Sequence, residues 1–363
     1  DEIPEEVYVK RAFAVDTSRH LSLKGRYISW MALPDRWVSW CFGGLVSGLL
    51  MVFKFKPKVI WSTYPIATAH LLGLVLHRLT GIPWVADFRD SMTEDDYPTN
   101  LRQRAIYRWI EEKTVKNCIR AVFTTPGAIA MYAERYPEVP QSRWALIPNG
   151  FDEENFLKAE QSDAYKVCLE NKESGCCVLL HSGVLYPSER DPTDFFKAVA
   201  ELKQKDVINS KKLKIILRAT GHDEIHRQLI NQYDLLDIVF LEPGIAYEEA
   251  LAEMLAADGL LIFQAANCNH QIPAKVYEYL RAKRPVFALT DPKGDTASVL
   301  VDADIPYIVP LDNKDEIVSK LTDFLLEIRQ GGMVSVSDDI INKHSRSART
   351  QLLAKLLDEV AKT

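Results

Sequence analysis

The sequence lacks the short motifs that identify several large classes of enzyme. No GxGxxG follows a predicted strand, and GxxxxGK[ST], HExxH and GxSxG are all absent. Each of these motifs carries a defined chemistry: dinucleotide binding, phosphate binding, zinc-dependent proteolysis or nucleophilic hydrolysis. Dehydrogenase, kinase, zinc protease and α/β-hydrolase functions are therefore disfavoured.

The cysteines are not spaced for a metal site or for disulfides. The 363 residues contain six cysteines, none of them in a CxxC pair. Because this spacing fits neither disulfides nor metal ligands, we expect reduced thiols in a cytoplasmic protein and no metal site. No signal peptide is visible and the sequence opens at Asp1, from which we expect the first domain to lack its initial segment.

No aromatic-basic array accompanies the positive charges, so a nucleic-acid partner is not expected. With 47% hydrophobic and 26% charged residues, the chain is predicted to be folded and globular. Residues 1–150 hold 19 Lys and Arg against 15 Asp and Glu, whereas the remainder holds 25 against 35. The basic first part suits an anionic substrate or a membrane surface, and solvated helix faces explain it about as well.

Short β-branched runs alternate with helical stretches along most of the chain, which predicts an α/β fold with parallel sheets. The most polar interval between strands, residues 152–175, indicates a domain boundary. We predict two Rossmann-like, doubly wound domains facing a cleft, over residues 1–160 and 161–335, with a C-terminal helix in 336–363 that returns to the first domain. The predicted strands are residues 58–63, 83–88, 121–125, 144–149, 176–183, 213–221, 238–244, 259–264, 285–289 and 306–310.

One uncharged segment, WVSWCFGGLVSGLLMVF at residues 37–53, is followed by KFKPK. Its 17 residues are at the lower limit for a bilayer span, and its glycines and serines weaken that interpretation. We interpret the segment first as a buried helix of the first domain. A helix lying on the membrane surface and a true span are the alternatives.

The stretch IPAKVYEYLRAKRPVFAL, residues 272–289, combines a helix start with a cation and a carboxylate. Pro273 suits a first helical turn, and Lys275 and Glu278 lie three positions apart on one face. A surface ion pair is one explanation. The other is a phosphate at the helix N-terminus, where the helix dipole favours anions, with a sugar hydroxyl held by Glu278.

Glycines and an arginine after other predicted strands point to the same chemistry. Gly183 follows an apolar strand, and glycine there lets the backbone approach a ligand. Arg190 lies near the start of a helix, where a cation is unfavourable unless an anion lies between the two. Gly221 and the turn from Glu242 to Gly244 also follow strands, but each is a weak signal alone.

Two further sets of polar residues lie at strand exits. Asp87, Arg89 and Asp90 follow a nearly solid apolar run, which favours a functional role over a turn in which Asp90 caps the next segment. His270 lies in a loop after another strand, and a surface histidine and a binding residue are equally compatible with that position.

These motifs resemble the nucleotide-sugar glycosyltransferases of the two-domain GT-B type, most closely the retaining family 4. IPAKVYEYLRAKRPVFAL resembles the PxKxxEYxAxxxPV signature of that family, and HSGVLYPSERDP at 181–192 is similar to its glycine loop. IPNGFDEENF at 147–156 resembles the interdomain connection, and ADFRDS at 86–91 a DxRD variant. The resemblance covers about residues 59–300.

The resemblance implies a set of donor-binding residues. Glu278 would bind the ribose hydroxyls, while Lys275, Arg190 and the helix start at Pro273 and Ala274 would hold the two phosphates. Gly183 would belong to the loop that faces them. Two turns would lie near the base, and the residues implied there are Gly221 and Glu242.

Two departures from the family pattern concern the donor sugar and the phosphates. His270 stands where the family often has the first of two glutamates, and Val184 stands where many members have an arginine. Arg190 and Lys275 would then neutralise the phosphates. Arg89 falls where many members have a histidine near the reacting sugar.

The implied function is retaining transfer of a sugar from a UDP- or GDP-linked donor to a hydroxyl of a glycan or lipid-linked acceptor, with no obligatory metal or cofactor. Arg190 and Lys275 would stabilise the leaving group, and Arg89 or Asp90 would orient the acceptor hydroxyl. Bacterial surface polysaccharide or glycolipid synthesis at the inner face of the membrane would be the setting. A nucleotide-sugar epimerase and a non-catalytic sugar-nucleotide-binding subunit are the alternatives.

Overall fold

The computed structural model describes residues 3–20, 29–94, 97–331 and 336–362. The chain divides into two compact units, one made of Asp1–Pro148 with Gln351–Thr363 and the other of Asn149–Thr350. Each unit contains one parallel sheet, so the predicted α/β class with two parallel sheets is confirmed. All ten predicted strands are present.

The first unit contains a four-stranded parallel sheet whose strands follow chain order. Thr63 on the first strand lies beside Asp87 on the second, so their side chains meet near the carboxyl end of the sheet. The strands are β1 (Ile60–Tyr64), β2 (Trp84–Phe88), β3 (Arg120–Phe123) and β4 (Trp144–Leu146).

Three helices of the first unit pack on one face of this sheet. The helices before the domain boundary are α1 (Thr17–His20), α2 (Trp40–Phe55), α3 (Ala67–Thr80), α4 (Leu101–Asn117) and α5 (Pro126–Arg135). Residues of α3, α4 and α5 pack with Trp84, Phe88 and Phe123 in one hydrophobic core. The alternation of side chains along a strand turns Val85 and Val122 to the opposite face.

The uncharged segment of residues 37–53 largely forms α2, and its interpretation as a buried helix is wrong. None of the residues of α2 is fully buried, and Phe42 and Phe53 are 81% and 88% exposed. Gly44 and Gly48 lie toward α3, since a Cβ on Gly44 would approach Leu72 Cδ1 to 2.7 Å and one on Gly48 would approach Leu76 Cδ1 to 2.8 Å. Among the described helices, none is long and apolar enough to cross a membrane.

The second unit contains a six-stranded parallel sheet with the order β10-β9-β8-β5-β6-β7. Its strands are β5 (Cys177–Ser182), β6 (Leu213–Arg218), β7 (Val239–Glu242), β8 (Gly259–Phe263), β9 (Val286–Leu289) and β10 (Tyr307–Val309). The direction of strand order reverses between β5 and β8. In doubly wound sheets ligands bind at the carboxyl ends of the strands at such a reversal.

Two hydrophobic cores cover the two faces of this sheet. Leu179 and Ile215 belong to one core, and Leu180 belongs to the other. The helices are α6 (Glu153–Gln161), α7 (Asp163–Glu170), α8 (Thr193–Gln204), α9 (Asp223–Gln232), α10 (Tyr247–Ala256), α11 (Lys275–Ala282), α12 (Asp295–Asp302), α13 (Lys314–Gln330) and α14 (Asp338–Lys343).

The units divide at different residues from those predicted. Residues 149–160 belong to the second unit, because Phe156 and Ala159 of α6 lie in one of its cores. Residues 336–350 also belong there, since Ile341 is in the same core. The division passes through the last helix, α15 (Arg346–Val360), whose Val360 packs with Val85 and Val122.

Candidate functional site

The turn after β5 lies at the reversal of strand order in the second unit, and its geometry requires glycine. Gly183 has φ +121°, and its N–H donates to the carbonyl of Arg218 at 2.8 Å. A Cβ at this position would lie 2.8 Å from Lys275 Nζ. The neighbouring Ser182 N–H donates to the hydroxyl of Tyr279 at 3.0 Å, which ties α11 to this turn. Glycine therefore lets the lysine ammonium approach the backbone.

Lys275 is the first residue of α11, and its ammonium lies against a buried histidine. Lys275 Nζ is 3.1 Å from His181 Nε2. His181 is fully buried, and its other ring nitrogen, Nδ1, lies 2.8 Å from the carbonyl of Leu261. If Nδ1 carries the proton and donates to that carbonyl, Nε2 accepts from Lys275. Burial and the nearby ammonium both lower the pKa of His181, which fits this neutral tautomer.

The charge of Lys275 is poorly compensated within the protein. Burial and then the positive charge of Arg190 lower the pKa of Lys275 to about 7, and Glu278 only partly opposes them. When burial disfavours the protonated form of a lysine in this way, an anion that binds beside the lysine stabilises that form. The site therefore favours an anionic ligand.

Arg190 lies in the loop after Gly183 and is held in place by that loop. Its Nη1 donates to the carbonyl of Val184 at 2.8 Å, and its guanidinium lies over the ring of Tyr186 at 5.4 Å. From the sequence we expected Arg190 to lie near the start of a helix, but it lies in the loop before that helix. Helix α8 begins at Thr193, whose N–H donates to the Asp191 carboxylate at 2.9 Å.

A surface ion pair would join Glu278 to Lys275, but the carboxylate of Glu278 has a different partner. Its Oε1 accepts a hydrogen bond from the hydroxyl of Tyr247 at 2.7 Å. Burial raises the pKa of Glu278, while Tyr247 and the charge of Arg346 oppose the rise. Within the described part of the chain no ion pair joins Glu278 to Lys275, so the surface ion pair that the sequence allowed is not formed.

The N-terminal turn of α11 begins slightly later than expected. Ala274 is the residue before the helix, and the Val276 N–H donates to the Pro273 carbonyl at 3.0 Å. Pro273 and Ala274 therefore precede the first helical residue, and the helix N-terminus lies at Lys275. Those N–H groups at a helix N-terminus that have no partner within the chain are available to an anion.

The remaining donor-side candidates lie in loops or at a strand end. Gly221 has φ +76°, and a Cβ there would lie 3.2 Å from Val184 Cγ1, so the loops after β5 and β6 are in contact. Glu242 ends β7; its carbonyl accepts from Ala219 N–H at 2.8 Å. His270 Nε2 is 3.5 Å from the side-chain amide of Gln271.

The first unit presents carboxylates at the carboxyl end of its sheet. The Asp87 carboxylate accepts from Thr63 Oγ1 at 2.8 Å. Burial raises the pKa of Asp87 to about 6, although Thr63 and Arg89 oppose the rise. Arg89 and Asp90 are exposed in the loop that follows. Asp90 does not cap the next helix, because Asn100 caps α4.

A fully buried carboxylate anchors this loop, and sequence patterns did not reveal it. Glu111 on α4 accepts from Thr93 Oγ1 at 3.0 Å, from the Tyr132 hydroxyl at 2.8 Å and from Arg135 Nη1 at 2.7 Å. The hydroxyl of Tyr136 donates to it at 2.7 Å. Thr93 follows Arg89 and Asp90 in the loop, so Glu111 fixes the loop to α4 and α5.

His181 and Tyr247 were also missed as site residues. His181 reads as one polar residue in an apolar strand, and Tyr247 as an ordinary aromatic residue at a helix start. A histidine two residues before the glycine that follows the strand is the only local signal. The described residues contain no group of three or more His, Cys, Asp or Glu suited to a metal, and all six cysteines are free.

Comparison with known families gives one match in the first unit. Residues 14–150 match the model of the glycosyl transferase 4-like domain. No curated protein matches the sequence.

Solved structures resemble nearly the whole chain. A glycosyltransferase from Rickettsia africae is 12% identical, with 89% of this chain and 82% of that chain covered and a TM-score of 0.66. Sucrose-phosphate synthase from Thermosynechococcus elongatus is 13% identical over 96% and 85%, with a TM-score of 0.66. HepE from Anabaena, in complex with UDP-glucose, is 14% identical over 87% and 82%, with a TM-score of 0.64. Identities this low show a common fold.

Proposed function

We propose that this chain, which has the GT-B fold and carries a glycosyl transferase 4-like domain over residues 14–150, transfers a sugar from a nucleotide-sugar donor to a hydroxyl acceptor. One observation carries the proposal: the Lys275 ammonium lies against the backbone of Gly183, in the turn where the strand order reverses. A partly desolvated ammonium beside a glycine turn and a helix N-terminus suits a diphosphate.

The donor is assigned to the second unit. Lys275, Arg190 and the N-terminus of α11 hold the two phosphates, and Glu278 accepts hydrogen bonds from the ribose hydroxyls. Gly221 and the turn from Glu242 to Gly244 face the base. A UDP- or GDP-linked sugar is the donor that we propose, and HepE supports the first because it was solved with UDP-glucose.

The transfer is proposed to retain the anomeric configuration and to need no metal. Arg190 and Lys275 stabilise charge on the departing diphosphate, and the departing phosphate oxygen takes the proton of the acceptor hydroxyl. Arg89 and Asp90 orient that hydroxyl. Replacing Arg89 with Ala should abolish turnover while donor affinity stays within about twofold. Unchanged turnover would remove Arg89 from the reaction.

The experiment that tests donor binding is a thermal shift with UDP-, GDP- and ADP-sugars and the free nucleotides. A ligand at 100 times its Kd stabilises a protein by about 2.7 kcal/mol, so binding is measurable. We expect one nucleotide series to raise Tm, and Glu278→Ala to weaken that series roughly 10- to 150-fold through loss of hydrogen bonds to a charged group. Glu170→Ala, an exposed substitution at the end of α7, is the control. A shift with none of these ligands contradicts the donor site.

Product analysis separates the proposed transferase from its alternatives. Acceptor-dependent release of the nucleotide indicates transfer, and proton NMR of the product gives the anomeric configuration. A new sugar nucleotide formed without acceptor would indicate an epimerase. Binding without turnover on any hydroxyl acceptor would indicate a non-catalytic subunit.

The acceptor is proposed to be a glycan or a lipid-linked sugar of bacterial surface polysaccharide or glycolipid synthesis, used at the cytoplasmic face of the membrane. The exposed Phe42 and Phe53 of α2, followed by Lys54, suit contact with an anionic lipid surface. Co-sedimentation with phosphatidylglycerol vesicles should exceed that with phosphatidylcholine vesicles. Phe42→Ser should reduce it, whereas Leu326→Ser, an exposed leucine of α13, should not. Equal sedimentation with both lipids would contradict the membrane contact.

A further inference from the structure

His181 is a fully buried histidine that the proposed reaction does not yet use. It lies on β5, and its ring packs edge-on against Phe263 of β8 with the ring centroids 5.1 Å apart. Its Nδ1 lies 2.8 Å from the carbonyl of Leu261, which belongs to the same neighbouring strand. The imidazole is therefore anchored between β5 and β8, where the strand order reverses, and Nε2 is the nitrogen that meets Lys275.

The hydrogen bonds of this ring determine where its proton lies. A carbonyl oxygen only accepts, so the contact with Leu261 requires the proton on Nδ1. In the neutral ring Nε2 then carries a lone pair, and it lies 3.1 Å from Lys275 Nζ, which donates. Burial, and then the charges of Lys275 and Arg190, lower the pKa of His181. The backbone of Leu261 and Gly183 opposes this lowering only in part, so the ring stays neutral.

The ammonium group of Lys275 has few other restraints. Within the described ranges, His181 Nε2 is the sole hydrogen-bond acceptor of Lys275 Nζ. The charge of Arg190 repels the ammonium, and that of Glu278 attracts it. A lysine has a flexible four-carbon stem and three N–H donors, so the bond to His181 fixes one donor and leaves two. This bond also keeps Nζ beside Gly183, where a Cβ would approach it to 2.8 Å.

We propose that His181 is a positioning residue for Lys275: the lone pair of Nε2 holds one N–H of the ammonium and directs the other two toward a bound anion. The anion is the diphosphate of the proposed donor, so this part of the inference rests on the proposed function. The bond also favours the charged form of Lys275, because a hydrogen bond to an ammonium stabilises that form. A histidine that only filled the core would affect folding stability and not the titration of Lys275.

Two amide side chains at position 181 separate the two hydrogen bonds of the ring. The amide nitrogen of asparagine lies near the position of Nδ1, so His181→Asn keeps the bond to Leu261 and loses the one to Lys275. The amide oxygen of glutamine reaches the position of Nε2, so His181→Gln keeps an acceptor for Lys275 and loses the other bond. His70, a fully buried histidine of the first unit whose Nδ1 lies 2.8 Å from Ser62 Oγ, provides the control His70→Asn.

The first measurement is NMR of the free protein, labelled with carbon-13 at the lysine Cε atoms and with nitrogen-15 in the histidine rings. The Lys275 signal is the one that Lys275→Met lacks, and the ring signals that shift in that variant report the tautomer of His181. We expect the proton on Nδ1. His181→Asn should lower the pKa of Lys275 from about 7 by roughly one pH unit, the size of a hydrogen bond to a charged group. His181→Gln and His70→Asn should leave this pKa unchanged.

The second measurement is the affinity for UDP and GDP between pH 5.5 and pH 8.5. Because the charged lysine holds the diphosphate, a lower pKa of Lys275 reduces the fraction of protein that can bind. His181→Asn should therefore weaken binding up to about tenfold at pH 8.5 and much less at pH 5.5. His181→Gln should bind like the wild type at each pH.

Specific outcomes would overturn the inference. A proton on Nε2 in the wild type, an unchanged pKa of Lys275 in folded His181→Asn, or a loss of affinity equal at both pH values would each leave His181 as a core residue only. The tautomer is measured without a substitution at position 181, so it tests the inference even if both variants fail to fold. A response of the Lys275 pKa without binding of UDP or GDP would contradict the proposed function alone.

Discussion

The two units carry ionisable groups of opposite charge at the carboxyl ends of their sheets, a lysine in one and an aspartate in the other. In the second unit Lys275 is desolvated beside a glycine turn, and its pKa is lowered to about 7. In the first unit Asp87 is desolvated beside Thr63, and its pKa is raised to about 6. Burial drives both groups toward their neutral forms near neutral pH.

The same physical effect therefore prepares the two sheet ends for different chemistry. A lysine with a lowered pKa is stabilised by an incoming anion, whereas a carboxyl group with a raised pKa exchanges a proton or accepts from a hydroxyl. This difference matches the proposed division between a diphosphate donor in the second unit and a hydroxyl acceptor in the first.

The largest expected effect concerns the buried carboxylate of the first unit. Glu111 is fully buried and pairs with Arg135 at 2.7 Å, so Glu111→Leu leaves Arg135 and two tyrosine hydroxyls without their acceptor. Breaking such a pair should cost about 3–5 kcal/mol of unfolding free energy. In the second unit, Glu153→Ala removes a more exposed partner of Arg281 and should cost only about 1 kcal/mol. Urea unfolding measures both, and equal losses would contradict the contrast.

The next effect is the pH dependence of donor binding. Because the pKa of Lys275 in the free protein is about 7, the lysine loses its proton above that pH, and a bound diphosphate raises its pKa again. Affinity for the nucleotide sugar should be full below pH 7 and fall up to about tenfold per pH unit above it. Isothermal titration calorimetry from pH 6 to pH 9 measures this slope.

Variants of Lys275 and of a distant lysine separate this slope from general charge effects. Lys275→Met should bind roughly 10- to 150-fold more weakly at pH 6, since it lacks a charge-assisted hydrogen bond, and its affinity should change little with pH. Lys320→Met, an exposed substitution on α13, should keep both the affinity and the slope. A slope that persists in Lys275→Met would assign the titration to another group.

Local sequence patterns predicted much of this arrangement, because the relevant forces act between near neighbours. The strand of Cys177–Ser182, the turn at Gly183 and the helix that carries Lys275 and Glu278 each have short-range signals of periodicity, φ preference and capping. The two parallel sheets followed from the repetition of such signals.

Features that depend on distant residues could not be predicted in the same way. His181 meets Lys275 across 94 positions, and Tyr247 meets Glu278 across 31. Glu111 looked like an ordinary charged residue of an exposed helix, and only the packing of α4 on α5 buries it. The uncharged composition of residues 37–53 indicated burial, but the sequence of a helix does not show which of its faces other parts of the chain cover.

A smaller effect is expected at Asp87. Its pKa is about 6 in the folded protein and 3.8 when unfolded, so folding stability falls as the pH rises through that interval and stays lower above pH 6. Asp87→Asn should remove this penalty and raise stability by about 1 kcal/mol at pH 7, a value that allows for partial solvent screening. The gain should vanish below pH 4. Unfolding curves at pH 4 and pH 7 measure it, and a gain independent of pH would indicate a cause other than ionisation.

The smallest effect tests the other sheet end through a single hydroxyl. Tyr247 donates to Glu278 at 2.7 Å, and this bond opposes the rise in the pKa of Glu278 that burial causes. Tyr247→Phe should raise that pKa further and release the carboxylate, which weakens nucleotide affinity by a net hydrogen bond of about 0.5–1.5 kcal/mol. Because the pKa of Glu278 rises further in the variant, the loss of affinity should grow as the pH falls. Tyr186→Phe keeps the ring under Arg190 and serves as the control. Equal losses in the two tyrosine variants would mean that Tyr247 contributes packing and not the orientation of Glu278.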